Sequence, residues 1–245
     1  NNYIEVEDFG DNTLNKVLEH KKKNKELIFN KIINTLKRVQ SIKDKHVLNF
    51  KNQKYKVMEY NNEILLKEAN LFSKWYAPRK LNKFKIRNFK IKYKKEVKKL
   101  LLRLNLKNNT FVHRDFHVSN LLYFKNNIAL IDSQDSLIGN KSYDLASLID
   151  DVRLKTSNKL KKKILNHYLK RLEKKEIDKF VNDFEILSVL RNLKIIGIFM
   201  RLAIRDNKKK YLKMIPYAWE MINYRLKKNK EFKNLQLILK SNFPK

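Results

Sequence analysis

Apolar side chains recur at helical spacing over most of the chain. Leu27, Ile28, Ile32, Ile33, Leu36 and Val39 share one face of a 3.6-residue period, and so do Ile64, Leu65, Ala69, Phe72 and Tyr76. Pro78 stands where the second pattern stops, because proline removes an N–H donor and cannot continue a helix interior. A third face, Phe89, Tyr93, Val97, Leu100, Leu101 and Leu104, predicts a long helix running into a polar loop at residues 105–109. Nearer the start, residues 3–6 alternate as a strand does, and Phe9-Gly10-Asp11-Asn12 reads as a turn capping a helix that begins near Thr13. The period changes at the centre. Thr110-Phe111-Val112, Leu121-Leu122-Tyr123 and Ile128-Ala129-Leu130-Ile131 are short β-type runs, the last two joined as a hairpin across Asn126-Asn127. After Asp144 the helical period returns through Ile177, Phe180, Val181, Phe184 and Leu187 to Met200, then from Tyr211 to Leu226. The expected fold is α+β and mostly helical, with a small central β-hairpin insertion. Such an interruption is the place to look for chemistry.

Composition narrows the classes. At 245 residues, 42% apolar and 11% aromatic, the chain can bury a core, which excludes a disordered basic tail. With no Cys, disulfide frameworks, thiolate zinc sites and cysteine nucleophiles are excluded. The stretch Ile195-Ile196-Gly197-Ile198-Phe199-Met200, flanked by Lys194 and Arg201, is far short of the roughly 18 apolar residues a membrane span needs. The opening residues lack the basic and apolar regions of a secretory signal. These features predict a soluble, cytoplasmic protein. The absence of an initiator Met suggests numbering that begins inside a longer chain.

The 57 Lys and Arg exceed the 25 Asp and Glu, for a formal charge of +32. That balance suggests phosphate binding, but its distribution does not. Lysines occur in every segment, as at 21–23, 94–95, 98–99, 161–163 and 208–210, and read as solvated helix faces. The aromatics fall at core spacing, with no RNP-like strand or helix-turn-helix pattern. Neither a specific nucleic-acid partner nor a membrane partner is expected.

The central insertion reads His113-Arg114-Asp115-Phe116-His117-Val118-Ser119-Asn120, followed by Ile131-Asp132-Ser133-Gln134-Asp135. This is the spacing of a kinase catalytic loop, H-x-D with Asn five residues after the Asp, and a hairpin that returns a second Asp to the same point. Phosphoryl transfer accounts for each residue type. Asp115 would accept the proton of a substrate hydroxyl, while Asn120 and Asp132 would supply oxygen ligands to Mg²⁺ bridging nucleotide phosphates. His113 would fix the loop by bonding backbone. His117 is either an exposed loop residue or a substrate contact.

With the later run Gly139-Asn140-Lys141-Ser142-Tyr143-Asp144-Leu145-Ala146-Ser147-Leu148, these motifs resemble the aminoglycoside phosphotransferase and choline kinase superfamily, which shares the protein-kinase-like fold. Four segments are most similar to bacterial anomeric kinases of N-acetylmuramate and N-acetylglucosamine, which serve cell-wall recycling. They are E-V-E-D-F-G-D at 5–11, E-A-N-L-F-S-K-W-Y at 68–76, H-R-D-F-H with I-D-S-Q-D, and R-N-L-K-I-I-G-I-F at 191–199. The resemblance covers nearly the whole chain. It implies Asp115 as catalytic base with His113 in the catalytic loop, Asn120 and Asp132 as magnesium ligands, and Asp144 as a support of the loop. It makes Gln134, Asp135, His117, Arg191 and Asn192 candidates for the substrate side. ATP and Mg²⁺ are the implied cofactors and a small molecule the implied partner.

Family members carry an N-terminal β-rich lobe whose glycine-rich turn and lysine hold the nucleotide phosphates. Three scattered glycines, Gly10, Gly139 and Gly197, cannot form such a turn. Residues 1–12 therefore read as a hinge strand and interlobe turn, with Glu7, Asp8 and Phe9 beside the adenine. Residues 13–245 read as a protein-kinase-like C-terminal lobe, and the chain alone is expected to bind ATP poorly. Other acceptors, an aminoglycoside or choline, stay open. Acids such as Glu63, Glu68, Asp135, Asp150 and Asp151 are few for a polycation. A non-catalytic basic module also stays open, although intact Asp115, Asn120 and Asp132 argue against it.

Overall fold

The structure is a computed structural model that describes residues 5, 7–19, 24–49 and 51–244. The strand expected at 3–6 falls mostly outside them. Helices α1 (Leu14–Glu19), α2 (Lys25–Gln40), α3 (Asn62–Leu71), α4 (Lys83–Leu101), α5 (Tyr143–Ile149), α6 (Asn158–Leu169), α7 (Lys174–Arg205), α8 (Ile215–Leu226) and α9 (Lys233–Asn242) dominate the chain, as the periodicity predicts. Side chains of short polar residues start several of them. Asn24, Asn61, Asn82 and Ser157 each accept from a backbone N–H in the first helical turn, at 3.0–3.2 Å for the first two and the last and 2.9 Å for Asn82.

The helical boundaries depart from expectation in three places, one being Lys209–Met214, a 3₁₀ segment ahead of α8 where the period predicts a helix from Tyr211. The helix through Tyr76 does not run straight to Pro78: α3 ends at Leu71 and continues as a π-helical turn, Phe72–Tyr76, then a 3₁₀ turn, Ala77–Arg79, that contains the proline. The wide turn lies against α7, where Gly197 approaches the Leu71 and Phe72 backbone. A Cβ on Gly197 would stand 2.3 Å from the Leu71 carbonyl carbon, a clash with main chain that rotamer changes cannot relieve. Gly197→Ala is thus expected to destabilise the fold by about 1–3 kcal/mol, the overpacking cost outweighing the gain in helix propensity. Urea unfolding checks this, and a neutral or stabilising result would refute the close approach. The third departure is α4, which stops at Leu101, before Leu104.

Strands pair in three antiparallel ladders among the described residues. β4 (Leu121–Phe124) and β5 (Asn127–Leu130) form the expected hairpin, but its turn is Lys125-Asn126 rather than Asn126-Asn127. Both turn residues have positive φ, 45° and 63°, as a two-residue hairpin turn matched to strand twist requires. Asn127 is thereby a strand residue paired with Phe124. β3 (Asn108–Val112) pairs with β6 (Leu137–Asn140), and β1 (His46–Leu48) with β2 (Lys54–Lys56). β6 and the β1–β2 hairpin were not predicted. β1 and β2 are exposed on every residue and so carry no alternation, while β6 is a short run buried throughout whose partner is distant in sequence.

Two apolar cores meet along α7, which is 32 residues long. One gathers α3, α4, α8, α9 and the C-terminal half of α7, with Phe72 stacked on Tyr76 and edge-on to Trp219 and Phe243. The other packs α1, α2, α5 and α6 against Phe180 and Phe184 of α7. Phe116 and Val118 of the central loop are fully buried in this second core. Burial of such side chains stabilises by about 1.5–3 kcal/mol each, so the polar residues between them are carried on a fixed backbone.

Candidate active site

β3 delivers the chain into the loop at 113–120, and β4 and β5 return it. Asp144, in the first turn of α5, clamps the entrance: its carboxylate accepts the N–H of His113 at 2.7 Å and of Arg114 at 3.0 Å. Asp144 is fully buried, and burial pushes its carboxyl up to about 7 against the opposing pull of those two N–H groups and of Arg191. The support implied for this residue is what the geometry shows. His113 closes the loop on the other side, its Nε2 lying 2.9 Å from the Ile131 carbonyl. A carbonyl only accepts, so Nε2 carries the proton, and burial holds the ring below the ordinary histidine range.

Arg114 adopts a left-handed backbone, φ 71°, which costs a non-glycine residue on the order of 1 kcal/mol. Its side chain explains why that conformation is held. Nη1 donates to the Asp135 carbonyl at 2.9 Å, Nη2 pairs with the Glu68 carboxylate at 2.6 Å, and the guanidinium lies 5.1 Å above the Tyr60 ring. Glu68 also pairs with Lys194 of α7 at 2.8 Å and accepts from the Tyr60 hydroxyl.

Between these ties stands Asp115. Its backbone carbonyl accepts from the His117 N–H at 3.0 Å and from Asn120 Nδ2 at 3.2 Å, while no described residue donates a hydrogen bond to its carboxylate. Burial alone would raise that carboxyl, but the positive charges of Lys194 and Arg191, and then of Arg153, outweigh it and hold the group below the usual carboxylate range. Asp115 is therefore an ionised, unengaged acceptor.

Asn120 uses its amide nitrogen on Asp115, which leaves its amide oxygen unengaged by any described residue. Ile131 donates its N–H to the Asn120 carbonyl at 3.1 Å, so Asp132 begins one residue from Asn120 across the mouth of the hairpin. Asp132 has φ 62° and is exposed, as is expected of a residue turned out of the ladder. An amide oxygen and a carboxylate, hard and unengaged, fit Mg²⁺, which takes a few protein oxygens and keeps its waters.

The structure brings Asp115, His113, Asn120 and Asp132 into one unit. His117 is not an exposed loop residue: it is 5% exposed, with no described partner on Nδ1. Burial and the adjacent Arg153 push its imidazole down to about 4. Arg191 of α7 is buried and acts electrostatically on Asp115 and His117. Asn192, on the same helix, donates to the Ser188 carbonyl at 3.0 Å and has no hydrogen bond to the loop among the described residues. Gln134 and Asp135 are exposed between β5 and β6, where only the Asp135 carbonyl is engaged, by Arg114. Glu7 and Asp8 are exposed, and Asp8 caps Gly10 at 2.7 Å. Phe9 meets Phe124 edge-on, ring centres 5.4 Å apart, at the turn end of the hairpin and away from its Asn120–Asp132 mouth.

Lys194, Arg153 and Asp151 were not singled out from sequence. Asp151 is buried, accepts the Val118 N–H at 3.2 Å and pairs with Arg153 at 3.1 Å. For Lys194 a signal existed, its position three residues after Arg191 on one helical face.

Residues 15–178, more than half of the chain, match the phosphotransferase enzyme family, and the chain belongs to that family. The chain is 34% identical over 175 residues to an N-acetylmuramate/N-acetylglucosamine kinase of Neisseria meningitidis, covering 68% of this chain and 51% of that protein. It is 30% identical over 189 residues to the Pseudomonas aeruginosa protein of the same name, covering 74% and 56%. The chain thus spans about half the length of the curated relatives it matches. A choline/ethanolamine kinase family protein from Mesorhizobium loti shares the fold, with a TM-score of 0.57 at 10% identity over 87% of this chain and 66% of that one. No described helix is long and apolar enough to cross a membrane.

Proposed function

We propose that this chain carries the catalytic loop and acceptor side of an ATP-dependent small-molecule kinase whose acceptor is an amino sugar of the N-acetylmuramate or N-acetylglucosamine type. The observation that carries the reading is the unengaged Asp115 carboxylate beside the Asn120–Asp132 oxygen pair, all on one loop and hairpin locked by Asp144 and His113. The names of the relatives supply the acceptor class.

Asp115 orients the acceptor hydroxyl and takes its proton as the oxygen attacks the γ-phosphorus. Asn120 and Asp132 would hold Mg²⁺, which offsets charge on the nucleotide phosphates when bound. His113 keeps the loop tied to the hairpin, so that Asp115 and Asp132 face one site. On this reading Gln134 and Asp135, exposed just past Asp132, serve the sugar side, and residues 7–9, whose Phe9 meets the hairpin at its turn end, serve the nucleotide side.

The test is Mg²⁺-dependent ADP release with N-acetylmuramate, N-acetylglucosamine, an aminoglycoside and choline, using this chain and a version extended by whatever the gene encodes upstream. Turnover with the amino sugars is expected. Asp132→Ala is expected to raise the Mg²⁺ concentration needed for half-maximal rate, and an unchanged titration refutes its role. Turnover only with choline or the aminoglycoside refutes the acceptor.

A further inference from the structure

One charged group near Asp115 acts on it through its charge but has no hydrogen-bonded partner among the described residues. Arg191 is 4% exposed, and no described residue accepts a hydrogen bond from its guanidinium, whose Nη1 is enclosed and unpartnered. A guanidinium offers five N–H donors in a rigid plane, and leaving buried donors without acceptors is costly. The surrounding cations are already committed, Lys194 to Glu68 at 2.8 Å and Arg153 to Asp151 at 3.1 Å. The nearby acids are committed too. Asp144 clamps the loop, Asp151 holds Val118 and Arg153, and Asp115 is kept for the hydroxyl. Arg191 is thus a fixed positive fork with no hydrogen-bonded anion among the described residues.

A second orphan lies beside it. His117 Nδ1 is buried without a described partner, and the charge of Arg191 reaches the His117 ring. His117 is neutral near pH 7, so it adds a hydrogen-bonding atom rather than a second charge. Arg191 stands one turn before Lys194 on α7, and Lys194 Nζ reaches the Tyr143 hydroxyl at the start of α5 at 3.4 Å, so Arg191 lies on the α5 side of the loop, whereas the Asn120–Asp132 pair lies at the mouth of the hairpin. The anion expected at Arg191 is therefore one carried by the acceptor, not the phosphoryl group entering over the metal pair.

We propose that Arg191, with His117 Nδ1 beside it, receives the carboxylate of an acidic amino sugar, so that this chain selects the anionic acceptor over its neutral counterpart. The planar fork suits a carboxylate in two-point contact. The inference rests on the amino-sugar reading above.

The test titrates N-acetylmuramate and its uncharged methyl ester into the protein by calorimetry, with Arg191→Gln and Arg191→Lys in parallel. The wild-type protein is expected to bind the acid about 10- to 100-fold more tightly than the ester, on the scale of a charge-assisted hydrogen-bonded pair. In Arg191→Gln the ratio falls to about 1, and Arg191→Lys is intermediate. The wild-type comparison needs no variant, so a folding defect in the substitutions leaves it decisive. Equal binding of acid and ester, or a preference that survives in Arg191→Gln, overturns the inference and leaves the kinase reading intact if both sugars support ADP release. Equal loss of turnover on acidic and neutral sugars in Arg191→Gln, with the acid-to-ester binding ratio unchanged, assigns the arginine to Asp115 and the phosphoryl transfer instead, and also overturns it. Absence of both binding and sugar-dependent ADP release overturns the acceptor reading and the inference together.

Discussion

Asp115→Ala is expected to lower kcat for acceptor phosphorylation by about 10²–10⁴-fold, the scale of a lost, positioned proton acceptor. The size follows from how little else the carboxylate does. It takes no hydrogen bond from any described residue, so its ionised form, held by the charges of Lys194 and Arg191, is available to a substrate hydroxyl. The loop does not depend on it. His117 and Asn120 bond the Asp115 backbone carbonyl, and that contact survives the substitution. Thermal unfolding of the variant is thus expected to match the parent within a few degrees while ADP release collapses. Activity equal to the parent would refute the assignment, and loss of activity together with loss of folding would move Asp115 to a structural role.

The second large effect concerns stability. Asp150, next to the loop-supporting Asp151, is fully buried and neutralises two cations that are themselves buried, Lys161 at 2% and Arg225 at 5% exposure. Its Oδ1 lies 3.1 Å from Lys161 Nζ and its Oδ2 2.8 Å from Arg225 Nε, and Ser188 donates its hydroxyl to the same carboxylate. Asp150→Ala leaves Lys161 and Arg225 enclosed without their counter-ion. Breaking a buried pair in this way costs about 3–5 kcal/mol, a large share of a typical folding free energy of about 5–15 kcal/mol. The pH dependence has a definite sign. Although burial opposes ionisation, Lys161 and Arg225 pull the Asp150 carboxyl down to about 2 from its ordinary 3.8. A depressed carboxylate stabilises above its unfolded pKa and loses that contribution as pH falls through the folded one. The parent is therefore expected to lose stability between about pH 4 and pH 2 through this group, and the variant to lack that part of the acid limb. Urea unfolding of both proteins at pH 7 and pH 3 measures it. A variant within 1 kcal/mol of the parent at pH 7 would show the triad to be dispensable.

These two residues mark the boundary between what was legible and what was not. Asp115, Asn120 and Asp132 could be read because their relation is local: five residues separate the first pair, and a short hairpin returns the third. The long helices could be read for a similar reason, since helical burial repeats every 3.6 residues whatever the partner. Lys161 could not. It begins a lysine run that reads as a solvated face, and only the fold shows that it is inside and paired with Asp150. The wide turn at Phe72–Tyr76 was equally hidden, because it answers to Gly197, more than a hundred residues away.

By itself, then, the sequence determined the helical framework, the central hairpin and the order of the residues proposed for phosphotransfer, all properties carried by neighbours along the chain. Only the tertiary structure decided which charges are spent and which are free. Glu68 joins Arg114 and Lys194 across segments far apart in sequence, Asp144 takes the N–H groups of the loop, and Arg191 is left buried with no partner among the described residues. A buried arginine and a solvated one are the same letter. What distinguishes them is the desolvation of the donors and the position of acceptors contributed by other elements, and those exist only once the chain has folded.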